Sequence, residues 1–330
     1  MTRLKESRPS SSGTRRARAL ARGVVHWVLG PVTTVLAASF AIFVALALAP
    51  GDPVARVVGD RATDAQRAAM RHQLGLDEPV VVRYFHWLGD ALQGDLGTSL
   101  ISRQDVASLL APRLLTTLTL VLMSAVIILV IGVALGTVGG VSDRLRPFVN
   151  GVTGLGVAIP SFVASMVLIG VFAVQLGWFP TFGSGAGLVD RLWHLTLPAV
   201  ALSIGWVAYV AQMTAAAVKE EAVREHVETA VGRGMPRTLI LRRHVMRNAS
   251  IPVLTASGLT VAGLVAGSVV VETAFGIDGV GSMLVRSVSS KDYAPTTAIS
   301  VLVVGVFVAI TTVIDFVQTR VDPRLREHSP

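Results

Sequence analysis

Residues 114–141 have the sequence LLTTLTLVLMSAVIILVIGVALGTVGGV, a run of 28 residues without a charged side chain. A helix needs about 20 apolar residues to cross the hydrocarbon core of a bilayer. A strand of a membrane barrel needs only about 10, and its residues alternate in polarity. The length and the uniform apolarity of this run therefore predict a membrane-spanning helix.

Five further stretches also contain no Asp, Glu, Lys or Arg: 23–51, 147–189, 192–218, 248–271 and 293–314. The chain has 330 residues, of which 52% are hydrophobic and only 15% charged, too few charges to cover a soluble domain of this size. The stretch 147–189 is too long for one span, and Gly177, Pro180 and Gly183 indicate a loop in its second half. We predict an all-α integral membrane protein with about six transmembrane helices.

The distribution of lysine and arginine predicts the orientation in the membrane. With the amino terminus inside, the inside segments carry 19 of these residues and the short outside segments carry 3. The outside segment 50–113 is left out, because long segments are translocated regardless of charge. The inside segments are 1–23, 142–147, 219–247 and 315–330. Both termini are thus expected in the cytoplasm, and the net charge of +8 reflects this asymmetry rather than a nucleic-acid partner.

The first apolar stretch could instead be a secretory signal peptide, since Ala47-Leu48-Ala49 resembles a cleavage site. Its apolar run, however, is about twice as long as that of a signal peptide. We therefore predict four regions along the chain. They are a basic cytoplasmic tail (1–23), a first transmembrane helix with an extracytoplasmic segment (24–112), a five-helix core (113–320) and a cytoplasmic tail (321–330).

Two local patterns are informative within the spans and the outside segment. The segment 64–74 is expected to be a short amphipathic helix that ends at Gly75, and the aromatic residues of 80–92 (Tyr84, Phe85 and Trp87) are expected at the membrane interface. Small residues recur in the core spans and predict close helix packing in lipid. They are Gly132, Gly136, Gly139, Gly140, Gly258, Gly263 and Gly267. Glu272, near the outer end of a span, is expected to have a structural role.

The segment 219–250, KEEAVREHVETAVGRGMPRTLILRRHVMRNAS, predicts a helix, a turn and a second helix. The first helix is expected to begin near Glu220 and to carry an apolar stripe of Val223, Val227, Ala230 and Val231. Gly232 and Gly234 are expected to break this helix, and Pro236 suits the first turn of the second helix. Such a hairpin between two spans can dock into a groove of a partner. The alternative is a solvated basic loop.

The spacing within this segment resembles the EAA loop of ABC-importer permeases. Glu228-Thr229-Ala230 is followed by three residues, Gly234, nine residues and His244. The run from Arg243 to Asn248 resembles the variant found in the dipeptide/oligopeptide/nickel branch. This resemblance implies a coupling loop made by Glu228, Thr229, Ala230, Gly234, Arg243, His244, Arg247 and Asn248.

Further stretches resemble the same branch in the same order over roughly 24–326. They include Ala49-Pro50-Gly51-Asp52-Pro53, Leu74–Pro79, Gly94–Gly97, Ile159–Phe162, Val271–Thr273, Lys291–Tyr293 and Asp322–Arg324. The long outside segment is similar to that of the DppB/OppB-type subunit. Three positions depart from the branch. It usually has tyrosine at His226, an Arg-Ala-Lys run at 231–233 and proline at Asp278.

The resemblance implies a type I ABC-importer permease fold in the bacterial inner membrane and a transport role for di- or oligopeptides or a related small solute such as a nickel chelate. The implied partners are a second, DppC/OppC-like permease, two cytoplasmic ATP-binding subunits, an external solute-binding protein and membrane lipid. The two permeases would enclose the path, and the ATPases would drive it through the coupling loop.

Catalytic motifs are missing from the sequence. The chain has three lysines, and none of them lies in the Gly-x4-Gly-Lys-Ser/Thr pattern of a phosphate-binding loop. It has no cysteine and no His-Glu-x-x-His pattern. We expect no enzyme activity, no metal and no cofactor in this chain, with ATP bound by separate subunits. The alternatives are a secondary transporter or channel driven by an ion gradient, which would have a charged site near the membrane midplane, and a membrane-anchored scaffold.

Overall fold

The computed structural model describes residues 12–49, 54, 58–59, 62–73 and 75–321, and side chains between 28 and 316. The motif at 49–53, the run 322–324 and parts of both predicted tails lie outside the described residues. The helices are α1 (Ser12–Leu48), α2 (Asp64–Gln73), α3 (Val80–Leu92), α4 (Val106–Val141), α5 (Arg146–Ala158), α6 (Ser161–Gln175), α7 (Gly187–Ala222), α8 (Glu225–Gly232), α9 (Arg237–Ala274), α10 (Val280–Ser290) and α11 (Tyr293–Val321). Within the described part the chain is helical, with one isolated bridge between Thr98 and Asp105 and no strand.

Five helices are long and apolar enough to cross a membrane: α4, α7, α9 and the segments Val28–Leu48 of α1 and Tyr293–Phe316 of α11. The pair α5 and α6, bent by 99°, passes the same test of length and apolarity when taken together, which brings the number of candidate crossings to six. The bend lies at Ile159 and Pro160, because proline has no N–H to continue the helical bonding and disfavours the helical conformation of the residue before it. The expectation of about six transmembrane helices is confirmed.

The real helices are longer than the charge-free stretches that predicted them. Helix α1 begins at Ser12, inside the predicted basic tail. Helix α9 begins at Arg237, so the second helix of the 219–250 segment and the following span form one continuous helix. Charge counting cannot show this, since a helix that crosses the membrane may continue with charged residues on either side.

Helix α7 lies at the centre of the bundle and contacts α4, α5, α6 and α9. The approach of α4 to α7 depends on three glycines one helical turn apart, Gly132, Gly136 and Gly140. A Cβ on Gly136 would lie 2.5 Å from the carbonyl oxygen of Ala211 and from Cβ of Thr214. Small residues thus let two backbones approach where lipid offers no hydrophobic driving force between helices.

The other four glycines singled out from the sequence also lie at helix contacts. A Cβ on Gly139 would meet Val149, one on Gly258 would meet Ile314, one on Gly263 would meet Trp206, and one on Gly267 would meet Leu202. The predicted role of these small residues in close packing is therefore confirmed.

The segment between the first two spans contains the expected helix α2, which Gly75 follows with a φ of +63°, and a second helix, α3, that the sequence did not indicate. Tyr84 of α3 is 4% exposed, because its hydroxyl lies 2.8 Å from Ser39 Oγ and its ring packs edge-on against Phe40 and Phe43 of α1. The segment is thus fixed to the first span.

Glu272 joins three helices at one end of the bundle. Its carboxylate is fully buried and accepts hydrogen bonds from Thr117 Oγ1 of α4 (2.7 Å) and the N–H of Ser282 in α10 (2.9 Å). The same Thr117 hydroxyl accepts from the N–H of Val280 (2.9 Å). The carboxylate satisfies free N–H groups at the start of α10, where a negative charge is favoured. The expected structural role of Glu272 is confirmed.

Candidate functional site

The segment 219–250, here called the α8 hairpin, is a short helix held between two spans. Helix α7 ends at Ala222, Val223 and Arg224 leave the helical conformation, and α8 starts at Glu225. The predicted start of this helix near Glu220 is wrong. Glu220 and Glu221 form the last turn of α7, because the span continues past its apolar part until the chain turns at 223–224.

A glycine-dependent motif ends α8. Gly234 has a φ of +71°. Its N–H donates to the carbonyl of Val231 (2.9 Å), and the N–H of Met235 donates to the carbonyl of Ala230 (3.2 Å). These two bonds define a Schellman motif, which requires the left-handed conformation that glycine adopts without strain. Pro236 then caps the start of α9. The predicted break at Gly234 is confirmed, whereas Gly232 is still helical, as the last residue of α8.

One face of α8 is buried inside the protein itself. Val227 is 5% exposed and Ala230 is 4% exposed. They pack in a cluster with Val218 of α7 and with residues of α9, namely Ile240, Val245 and Ala249. The sequence placed Val223, Val227 and Val231 together on a stripe for a partner. The structure corrects this prediction. Val223 and Val231 are exposed, whereas Val227 is buried where α8 packs against the rest of the protein.

A polar cluster holds the other side of the hairpin. Glu221 is 7% exposed, and Asn248 Nδ2 of α9 donates to its Oε1 (2.8 Å). The Nε2 atom of His226 lies 3.2 Å from the same oxygen. Arg224 Nε lies 3.1 Å from the second oxygen, Oε2. Glu221 thus contacts residues from the linker, from α8 and from α9. Sequence reasoning missed this residue, because nothing in the pair Glu220-Glu221 shows which carboxylate faces inward.

The residues predicted for this site fall into two groups. Glu228 and Thr229 of α8 and Arg243 and Arg247 of α9 are exposed. The second group holds the hairpin in shape. Ala230 packs in the apolar cluster, Gly234 forms the turn, and Asn248 belongs to the polar cluster around Glu221. His244 is half-buried, and its ring centre lies 6.2 Å from that of His226.

The exposed surface of the hairpin is rich in arginine. Among the described residues, no acidic group lies in ion-pair distance of Arg233, Arg237, Arg242, Arg243 or Arg247. No group of three or more metal-ligating side chains occurs in the part of the chain that the structure describes. The hairpin therefore presents charge and a helix end for contact with another molecule.

Two of the three departures from the branch have a visible consequence. His226 contributes the polar contact to Glu221 described above. Asp278, near the other end of the bundle, pairs with Arg113 of α4 (2.8 Å) and Arg286 of α10 (2.5 Å). Residues 231–233 lie on the exposed surface of the hairpin.

Comparison with protein families and known structures gives a consistent result. Residues 129–327 match the family described as binding-protein-dependent transport system inner membrane component, and residues 20–121 match the N-terminal family of such components. The chain is 34% identical to the probable peptide ABC transporter permease protein y4tP of Sinorhizobium fredii, over 86% of this chain and 93% of that protein. It is also 34% identical to the glutathione transport system permease protein GsiC of Escherichia coli K12, over 92% and 98%.

The fold resembles a chain of the inward-facing MetNI methionine ABC transporter. The TM-score is 0.56 at 20% identity, and the match covers 65% of this chain and 96% of that chain. At this level of identity the match bears on the fold alone.

Proposed function

Because this chain belongs to the family of binding-protein-dependent transport system inner membrane components, it is a permease subunit of an ATP-driven ABC importer, and we propose that its α8 hairpin receives the ATPase. In this proposal the exposed Glu228, Thr229, Arg243 and Arg247, with the half-buried His244, contact the ATPase, while Ala230, Gly234 and Asn248 hold the hairpin in shape. The observation that carries the proposal is that one face of α8 is exposed while the opposite face packs against buried residues of α7 and α9.

The connections of the hairpin suit the transmission of movement. Helix α8 is joined by two residues to α7, the central span, and by a four-residue turn to α9. Helix α9 runs without interruption from Arg237 to Ala274, about 57 Å at 1.5 Å per residue. A displacement of the hairpin on ATP binding would therefore move two packed spans together, and so change which side of the membrane the path opens to.

The complete importer would contain more than this chain. Members of this family work with a partner permease, ATPases and a binding protein. For this chain we infer a DppC/OppC-like second permease, two cytoplasmic ATP-binding subunits and an external solute-binding protein. The chain would have no enzymatic activity and no cofactor of its own, since ATP would be bound by the ATPases. The solute would be a di- or oligopeptide, in keeping with the peptide and glutathione permeases among the relatives, or a related small molecule such as a nickel chelate.

The orientation follows from the charge asymmetry. This multi-pass protein of the inner membrane would have both termini and the α8 hairpin in the cytoplasm, and residues 50–112 outside. The alternative of an ion-gradient-driven transporter or channel gains no support. The buried carboxylate Glu272 lies at one end of the bundle and its oxygens accept hydrogen bonds from two neighbouring helices.

Site-specific cross-linking tests the docking proposal. Because the chain has no native cysteine, only the introduced cysteine of this chain can react. A cysteine at Thr229, on the exposed face of α8, should cross-link to a co-purified ATPase subunit. A cysteine at Ser289 of α10, exposed at the opposite end, serves as the matched control. Equal cross-linking at both positions, or an ATPase that binds without contact to Thr229, would refute the assignment.

A further inference from the structure

The connection between α7 and α8 consists of two residues outside the helical conformation. They are Val223 and Arg224, with φ and ψ of −101° and 8° for the first and −78° and 148° for the second. These residues provide four rotatable backbone angles, and one backbone hydrogen bond, from the N–H of Arg224 to the carbonyl of Glu221 (3.2 Å), spans them. The orientation of α8 relative to α7 therefore depends largely on side-chain contacts.

The apolar cluster under α8 fixes the distance of this helix from α7 and α9 but constrains its orientation weakly. Only Val227 and Ala230 of α8 are buried, and they lie one helical turn apart on a helix of eight residues. Apolar contacts have no preferred direction. The Schellman motif and Met235 also hold the carboxyl end of α8, so the tilt that apolar contacts constrain least is that of its amino end, next to residues 223–224.

Glu221 supplies directional contacts at the end of α8 where this tilt would occur. Its two oxygens lie 2.8 Å from Asn248 Nδ2 of α9, 3.2 Å from His226 Nε2 of α8 and 3.1 Å from Arg224 Nε of the linker. Its side chain is 9% exposed, whereas that of Glu220 next to it is 73% exposed. A carboxylate is retained in such a place only when its oxygens are paired.

We propose that Glu221 is the positioning residue of the coupling hairpin. Its carboxylate joins α7, α8 and α9 into one body, so that a displacement of α8 reaches the spans instead of being lost at residues 223–224. This inference rests on the proposed function. We call the contacts of Glu221 with Arg224, His226 and Asn248 the clamp. His226 stands where the dipeptide/oligopeptide/nickel branch usually has tyrosine.

The neighbouring carboxylates provide a matched pair of variants. Glu221→Gln and Glu220→Gln remove the same charge from adjacent positions of one helical turn, and Arg224 contacts both residues. Glu221→Gln retains the size of the side chain and loses the charge-assisted bonds. Glu221→Ala removes all three contacts and serves as the stronger variant. The effect expected on the ratio of docked to undocked α8 is roughly tenfold to a hundredfold.

Two measurements separate the clamp from the docking proposal. The first is the distance between spin labels on cysteines at Lys219 and Thr229, in the purified full-length chain alone and in complex with its co-purified ATPase. The second is ATP hydrolysis and solute uptake by the reconstituted complex. We expect one narrow distance in the wild type and in Glu220→Gln. We expect a broad or second distance in both Glu221 variants, with hydrolysis retained and uptake lost at least tenfold in Glu221→Ala.

The possible outcomes differ for the two proposals. A single narrow distance in Glu221→Ala with wild-type uptake per ATP hydrolysed would overturn the clamp, because the apolar cluster would then suffice. If a cysteine at Thr229 does not cross-link to the co-purified ATPase, the docking proposal fails, while the distances in the chain alone still decide whether Glu221 orients α8.

Discussion

Replacement of Gly234 by valine should weaken ATPase association and solute uptake without preventing membrane insertion. Gly234 has a φ of +71°, a conformation that costs a residue with a β-branched side chain about 1–2 kcal/mol. No atom lies within 4 Å of the position that its Cβ would take, so the cost arises from the backbone alone. The expected effect is confined to the hairpin.

That cost would be relieved by opening the turn. The bonds from Gly234 to Val231 and from Met235 to Ala230 would break, and Met235 would leave the apolar cluster under α8. A loss of 1–2 kcal/mol corresponds to a roughly 5- to 30-fold decrease in the properly docked hairpin. We expect normal accumulation in the membrane, weaker ATPase association by that factor and a matching loss of uptake.

Two control variants isolate the backbone conformation as the cause. Gly234→Asn should retain most activity, since asparagine tolerates the left-handed region. Gly232→Val adds the same side chain two residues earlier, at a helical position with open space around it, and should have little effect. The assay is pull-down of the ATPase together with solute uptake at matched abundance. Wild-type uptake by Gly234→Val would contradict the reasoning, and an equal loss in Gly232→Val would point to the side chain instead.

The remaining predictions concern packing, the buried carboxylate, topology and catalysis. Gly136→Val should prevent accumulation of the protein because of the backbone contact at 2.5 Å, whereas Gly154→Val, with open space at its Cβ, should accumulate normally on immunoblots. Glu272→Ala should lower the thermal unfolding midpoint in detergent, since the donors left unpaired cost about 1–3 kcal/mol; an unchanged midpoint would argue against the three-helix junction. A cysteine at Asp64 should react with an impermeant thiol reagent in intact cells and one at Ser12 should not; the reverse pattern would invert the topology. The purified chain should hydrolyse no ATP, and turnover in a preparation free of other proteins would contradict that.

Local sequence patterns predicted much of the fold. Runs such as 114–141 identify spans because apolarity over about 20 residues is a property of consecutive residues. Gly75, Gly234 and Pro236 indicate turns and helix starts, because their backbone preferences do not depend on distant residues. The residues assigned to the coupling surface came from motif spacing, and their role stays a prediction.

The direction in which side chains point could not be predicted as well from the sequence. Val223, Val227 and Val231 have similar spacing and similar chemistry, yet only Val227 faces the protein. The helix has eight residues, so one buried face is narrow, and its direction depends on where α7 and α9 lie. Apolar residues at helical spacing can face a partner or the protein's own core, and the sequence pattern is the same in both cases.

The sequence by itself determined the number of spans, the asymmetry of charge, the presence of a hairpin at 219–250 and the need for glycine at its turn. The tertiary structure decided which charged residues are partners. Asn248 reaches Glu221 across 27 residues, and Thr117 reaches Glu272 across 155. Such pairs are set by the packing of helices far apart in the chain, whereas spans and turns are set by interactions between neighbours.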